Sequence, residues 1–409
     1  MKGKIRLCAT LLTLVMVLTL TGCGGGNQAP AAPPSRSDAP SSAPADSGTP
    51  GTYTFDDLMQ MSWPEIEEAA KAEGEVTLSV WYNEVGFTEM LKKFEETYGI
   101  KTSLVVSEQK AFTQKALAEK DGPVGTIDVT VAGGEMVKTI LDAKLMAGPL
   151  LDKMEQKDKL DPGLSEYIEG MATGGYLVPL YLNQTGFLYN SDKLSEADLP
   201  QTWEDLENYI QANPKKFGVC PADKGGSGQA FTMLAIQELV GGLEDCFGDG
   251  DVVESKITNW ETVWEWFRNN SDNITFTTSN NDSASRLNQG ELDLTVTWSD
   301  DTSVARKAGE LGNNAKLYIP EMGLPGGGDS IGIMANAKHK AASLLLVNWF
   351  TSDEAQIMLS EQLNAIPARV DIPATNSELT PEDMEHRFSW LPVAYKTRFT
   401  QDFTPNVFK

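Results

Sequence analysis

The sequence predicts an α/β protein built on a largely parallel sheet, and three observations carry that prediction. Glu75 to Val106 reads as strand, helix, strand; the same alternation recurs along the chain; and 409 residues with 41% hydrophobic content can bury the cores of two domains or of one large unit. The connection between the first two strands has the length of a helical crossover, which makes the strands parallel and the sheet covered on both faces.

Folding is expected to start near Tyr53, with Thr54-Phe55-Asp56-Asp57-Leu58 opening a first helix. Ser62-Trp63-Pro64-Glu65 opens a second: Ser62 is the N-cap, Pro64 suits the first turn and Glu65 completes a capping box. Gly74 stops that helix. From Glu75 to Trp81, Val76, Leu78 and Val80 alternate with Thr77 and Ser79, the period of a strand. Phe87, Met90, Leu91, Phe94 and Tyr98 then share one face of a helix that ends at Gly99, where a left-handed C-cap fits. Thr102 to Val106 is the next strand. Thr126 to Val131 is another, running into Ala132-Gly133-Gly134 and a helix from about Glu135 to Ala143. Ligands of open α/β sheets bind beyond the carboxyl ends of the strands, so Trp81-Tyr82-Asn83 and Gly133-Gly134-Glu135 are pocket positions.

A second α/β region follows the strand Tyr176 to Tyr181. Thr202 caps a helix through Trp203, Leu206 and Ile210, and the Gly-rich turn Gly225-Gly226-Ser227-Gly228 precedes a helix from about Gln229 to Leu239. Trp260, Val263, Trp264 and Phe267 recur at helical spacing and are expected in the core. Glu291 to Trp298 is a strand in which Leu292, Leu294 and Val296 alternate with polar residues; it ends in Ser299-Asp300-Asp301-Thr302-Ser303, where a helix can begin. Gly326-Gly327-Gly328 is not a phosphate loop, because no Gly-Lys-Ser/Thr follows, and reads as slack chain.

Composition excludes several function classes. With 33 Lys and Arg against 58 Asp and Glu, the formal charge is -25, so the chain repels a phosphate backbone, and no basic stripe offsets this: nucleic acid is not a partner. His339 and His386 are the only histidines, which removes a multi-histidine metal site, and no metal is expected.

Residues 1-22 read as an export signal: Lys2, Lys4 and Arg6 precede an apolar run from Leu11 to Leu20 that is too short to span a membrane comfortably. Leu20-Thr21-Gly22-Cys23 resembles the lipobox of bacterial lipoproteins, in which the cysteine is lipid-modified and becomes the first mature residue; the alternative is an ordinary secretory signal. Residues 23-52 then form a tether of mostly Gly, Ala, Pro and Ser, too poor in apolar side chains to fold, with a reach of at most ~90 Å at the extended rise of Pro-rich chain. The expected location is the outer face of the bacterial cell membrane, touched only through that lipid. Cys220 and Cys246 remain in an oxidising compartment, either as a disulfide or as two buried thiols.

Several segments together resemble the extracellular solute-binding proteins of bacterial ABC importers, in the type II group that includes binders of iron, thiamine, polyamines and sugars. The resemblance spans most of residues 60-370. It rests on Glu75 to Val106, on Ile127 to Glu135, and on Gly175-Tyr176-Leu177-Val178-Pro179 with Gly186 to Leu194, which is similar to the family's "YN-x-D-x-L" stretch. Leu199 to Leu206 resembles its "P-x-T-W-x-E/D-L" helix, and Asp329-Ser330-Ile331-Gly332-Ile333 with Ala341 to Phe350 resembles its return crossover and helix. The resemblance implies a two-lobed periplasmic-binding-protein-like clamp, each lobe a mixed, mostly parallel sheet flanked by helices, with the ligand in the cleft between them. The first lobe would be 53-182 plus 330-365 and the second 183-329 plus 366-409, with hinges at 176-183 and 329-336. It also implies a monomer that binds without chemistry or cofactor, closes on a small solute and docks on a membrane permease.

The ligand is read from the expected cleft. The chain has no adjacent Tyr-Tyr pair in its body, which argues against iron held by tandem tyrosinates. Trp298-Ser299-Asp300-Asp301 is similar to the "W-x-x-D" run of polyamine binders, so Trp81, Tyr82, Trp298, Asp300 and Asp301 favour a polyamine-like or thiamine-like cation. Gly134-Glu135 and Ser227-Gly228, at expected helix starts, suit an anion or a hydroxyl instead, and tryptophans with carboxylates also suit a sugar. Ser330 joins the expected site from the return crossover. Asp300 and Asp301 can equally be caps of a surface helix. The competing class is an exported glycosidase, which needs two carboxyls facing one bond; nothing in the sequence pairs them.

Overall fold

A computed structural model describes residues 53-375 and 378-409. The signal, Cys23 and the tether lie outside the described residues. Among the described residues the strands are β1 Glu75–Val80, β2 Lys101–Val106, β3 Val129–Ala132, β4 Tyr167–Ile168, β5 Met171–Ala172, β6 Val178–Asn190, β7 Phe217–Val219, β8 Ile274–Phe276, β9 Leu294–Trp298, β10 Ala315–Tyr318, β11 Leu324–Ile333, β12 Ile366–Pro367 and β13 Arg387–Ser389.

Local chemistry sets the first crossover. Ser62 and Glu65 form the reciprocal capping box of the helix Trp63–Glu73, and Gly74 ends it at φ 79°. Asn83 turns the chain after β1 with φ 51° and caps the helix Glu84–Tyr98, which buries Phe87, Met90, Leu91 and Phe94 and ends at Gly99 with φ 71°. β1 lies parallel to β2, from Glu75 opposite Lys101 to Val80 opposite Val106, and parallel to β3 on its other side.

The main path through the sheet runs β2-β1-β3-β11-β6-β9-β7-β8. Its outer strands are parallel within each half, whereas the two long central strands, β6 and β11, run antiparallel to each other and to β3 and β9. These two strands connect two separate hydrophobic cores. Val178, Leu180 and Leu182 of β6 belong to the first core with Val76, Phe87, Ile331 and Leu346; Phe187, Leu188 and Tyr189 belong to the second with Phe217, Phe231, Trp264 and Phe399. The molecule is therefore a two-lobed α/β structure whose lobes share the strands that join them.

Two expectations change, and the open alternative at the cysteines is resolved. Gly326-Gly327-Gly328 is not slack: it is paired strand inside β11, and a Cβ at Gly328 would fall 2.0 Å from the Tyr181 carbonyl oxygen, so close strand approach explains the glycine. The turn at Gly225-Gly228 is shorter than expected, because the helix Gly226–Leu239 already contains Ser227 and Gly228. Cys220 and Cys246 are two buried free thiols rather than a disulfide. Cys220 Sγ lies 3.4 Å from Ser227 Oγ, while Cys246 Sγ faces the Gly242 carbonyl, so each sulfur already has its own neighbour. Among the described residues no helix is long and apolar enough to cross a membrane.

Candidate functional site

A cleft of about 320 Å³ opens where the carboxyl ends of β1 and β3 meet the two central strands. Trp81 and Tyr82 enter it from the end of β1, Gly134 from the loop after β3, Tyr181 and Asn183 from β6, and Asp329 from β11; Asp300, Gln109, Leu363 and Ala365 complete the wall. The Trp81 and Tyr82 rings are 5.1 Å apart, and Tyr82 meets Tyr181 edge-on at 6.4 Å. The volume suits a small molecule, and aromatic faces with a few convergent polar groups are what such sites use.

Asp329 is the chemical centre of this wall. It is 8% exposed. Tyr82 Oη donates to its Oδ2 at 2.9 Å, and Tyr181 Oη donates to the same oxygen. Burial pushes its acid up to about 8, with the Lys396 ammonium pulling weakly the other way. A β-bulge between Asp329 and Ser330 shifts the register against β6 at this point, the kind of irregularity that re-aims a side chain. Gly133 makes room for the carboxyl: a Cβ there would sit 1.8 Å from Asp329 Oδ1.

Asp300 faces the same space from the first turn of the helix Ser299–Lys307, whose N-cap is Trp298. Burial raises its acid, while the backbone N–H groups of residues 300 and 301 lower it. Its Oδ1 is buried without a hydrogen-bond partner. Burial, with the Asp300 charge next to it, pushes Asp301 to about 6, and burial together with the same charge raises Tyr82 well above the ordinary phenol range. Asp300 and Asp329 line the cleft and Asp301 does not, no Lys or Arg lines it, and a buried charge left unpaired is costly.

The remaining expected site residues fall elsewhere. Asn83 spends its side chain on the Gly86 amide at 3.2 Å. Glu135 is exposed. Ser227 is buried with its amide and hydroxyl both on Asn280 Oδ1, at 3.1 and 2.8 Å, and a Cβ at Gly228 would fall 2.1 Å from the Cys220 carbonyl oxygen, so this helix start is closed by protein. Trp298 stacks on Trp390 at 5.8 Å and packs beside Gly226. Ser330 is fully buried, its hydroxyl without a partner. Conversely, Gln109, Tyr181, Asn183 and Asp329 line the cleft without having been expected there; the signal for Asp329 is a lone carboxylate in a glycine-rich strand. Among the described residues, no three His, Cys, Asp or Glu side chains group closely enough to hold a metal ion.

Comparison with known proteins supplies the wider context. The family described as bacterial extracellular solute-binding protein matches residues 89–385. An Fe(3+)-binding periplasmic protein of Serratia marcescens is 28% identical over 212 residues, which span 51% of this chain and 56% of that protein. Among solved structures, an ABC transporter protein of Clostridium perfringens superposes with a TM-score of 0.62 at 18% identity, covering 81% of this chain and 98% of that one. The spermidine/putrescine ABC transporter substrate-binding protein of Streptococcus pneumoniae gives a TM-score of 0.62 at 14% identity, with 81% and 99% covered. At these identities the structures share the fold.

Proposed function

The chain belongs to the bacterial extracellular solute-binding protein family, and on that premise we propose that it captures a small organic cation, of the polyamine or thiamine type, and passes it to a membrane permease. Members of this family bind solutes for ABC importers and are not enzymes, so the glycosidase alternative falls away. One observation supports the ligand class above the others: the cleft wall carries Asp300, Asp329 and the rings of Trp81, Tyr82 and Tyr181, and no Lys or Arg lines it. An anionic cargo would find no Lys or Arg on this wall to pair with. A cation gains about 0.5–2 kcal/mol from each well-placed ring, and more from a desolvated carboxylate.

On the same reading, export places the protein outside the cell, and Cys23 carries the lipid that holds this monomer at the membrane. The lobes are 53-182 with 330-365 and 183-329 with 366-409, hinged on the crossing strands. Metabolic labelling with a fatty acid, lost in Cys23→Ala, tests the anchor.

A thermal-shift series with putrescine, spermidine, thiamine, neutral sugars and phosphate tests the cargo. At 100 times its dissociation constant a ligand adds about 2.7 kcal/mol of apparent stability. Shifts by sugars or phosphate alone would sink the organic-cation reading. The convergence of Tyr82 and Tyr181 on one carboxylate favours a second reading, a ferric ion as cargo. That cargo requires the phenols to lose their protons against the burial that raises Tyr82, which is why the organic cation is preferred. A visible tyrosinate-to-iron absorption band on adding ferric citrate would decide for iron.

A further inference from the structure

The two lobes also meet beside the cleft, at a small hairpin whose partner Lys396 lies close enough to act on Asp329. Residues 160-172 belong to the first core through Leu160, Leu164, Ile168 and Met171, and end in β4 and β5. The hairpin turn holds Glu169 at φ 49° and Gly170 at φ 66°. A left-handed glutamate is uncommon, and this one aims its carboxylate at Lys396, which lies on the helix Val393–Val407 of the second core. Asp161 pairs in the same way with Arg387 of β13. Both pairs are shielded from water, with side-chain exposures of 13% and 16% for Glu169 and Lys396, and of 6% and 23% for Asp161 and Arg387.

Backbone and ring contacts accompany the ion pairs. The Gly248 amide donates to the Gly170 carbonyl at 3.0 Å, Tyr167 lies 5.8 Å from Phe247, and a Cβ at Gly170 would fall 2.3 Å from Pro392 N. Lys396 sits 5.0 Å over the Trp390 ring, which in turn stacks on Trp298. A cavity of about 190 Å³ remains here, with Asp161 and Glu169 on one side, Arg387 and Trp390 on the other, and Leu182 and Gly327 of the crossing strands along its wall. The junction is thus polar, specific and incompletely packed, so it can part without exposing a dry apolar interface.

We propose that the β4-β5 hairpin is a latch: Glu169–Lys396 and Asp161–Arg387 hold the lobes together whether or not the cleft is occupied. Shielded ion pairs suit this role because removing one partner leaves the other charge buried and unpaired, whereas exposed pairs contribute little. A latch of this kind raises the fraction of empty protein that holds the lobes in the arrangement seen here.

The test uses the full chain without cargo, so its outcome does not depend on which solute the cleft takes. Small-angle scattering and amide hydrogen exchange are compared for wild type, Glu169→Gln, Lys396→Met and the swapped Glu169→Lys/Lys396→Glu. The single variants are expected to show a larger radius of gyration and at least about fivefold faster exchange at the Gly248 amide, with the swapped pair returning toward wild type. Glu169→Gln is nearly isosteric and keeps the comparison interpretable if Lys396→Met fails to fold. Unchanged scattering and unchanged Gly248 exchange in a cooperatively melting Glu169→Gln would overturn the latch.

Discussion

The Tyr82 hydroxyl donates a 2.9 Å hydrogen bond to Asp329 Oδ2, joining the end of β1 to the middle of β11 across the cleft. The acceptor is a carboxyl that burial holds at about 8, against an ordinary value of 3.8. Between those values the folded chain binds the proton more tightly than the unfolded chain does. The stabilising contribution is therefore complete below about pH 4 and is lost as pH rises through about 8, with a slope of at most ~1.4 kcal/mol per pH unit. Asp301, at about 6, adds the same sign over the lower part of that range. Denaturant melts of the empty protein at several pH values should show wild type losing stability from mildly acidic to mildly alkaline pH. Asp329→Asn should be flatter there, and parallel curves would show that Asp329 is already ionised.

Cargo binding reverses the preference. A cation beside Asp329 favours the carboxylate, so its capture near neutral pH should expel a proton and its affinity should rise with pH toward about 8. Titration calorimetry with the cation found by thermal shift, run in buffers of different ionisation enthalpy, reads the released proton directly. Identical heats in all buffers would separate cation capture from this carboxyl.

Asp300 makes a different prediction, because its Oδ1 has no partner and its acid is raised by burial. Asp300→Asn keeps the shape and removes the charge. The empty protein should melt higher, since a carboxyl whose charged form burial disfavours has gone, and organic-cation affinity should fall at least about tenfold, ~1.4 kcal/mol. A lower melting temperature with unchanged affinity would return Asp300 to the role of helix cap.

The contrast between these acids shows what the sequence makes legible. Periodicity and caps specify the first crossover: Val76, Leu78 and Val80 face the core, and Gly74 and Gly99 adopt the left-handed backbone that ends their helices. Positions beyond strand ends can be read the same way, hence Trp81, Tyr82, Gly134 and Asp300. Tyr181, Asn183 and Asp329 cannot, because they lie within β6 and β11, where a strand period does not tell a cleft-facing side chain from a core one. Asp329 depends on a bulge and on space left by Gly133, neither of which has a local signature. Ser227 and Gly228 show the opposite error: a glycine-rich helix start looks open to a ligand, but Asn280, distant in sequence, already occupies its donors.

Two glycines separate cargo recognition from folding. A Cβ at Gly133 would lie 1.8 Å from Asp329 Oδ1 and 3.0 Å from the Trp81 ring, so Gly133→Ala must push the carboxyl off its two phenol donors. At Gly228 the added atom would meet backbone instead, 2.1 Å from the Cys220 carbonyl oxygen and 2.6 Å from that of Pro221, inside the second lobe and away from the cleft. Overpacking of this kind costs about 1–3 kcal/mol. Gly133→Ala should therefore lose cation affinity at least about tenfold in protein that still folds, because the displaced group is a cleft carboxyl and not the main chain. Gly228→Ala should lower the denaturation midpoint while its folded fraction binds the cation with wild-type affinity. Calorimetry and denaturant melts on both variants distinguish the two roles, and a Gly228→Ala protein that folds normally but binds weakly would bring that helix start back into the site.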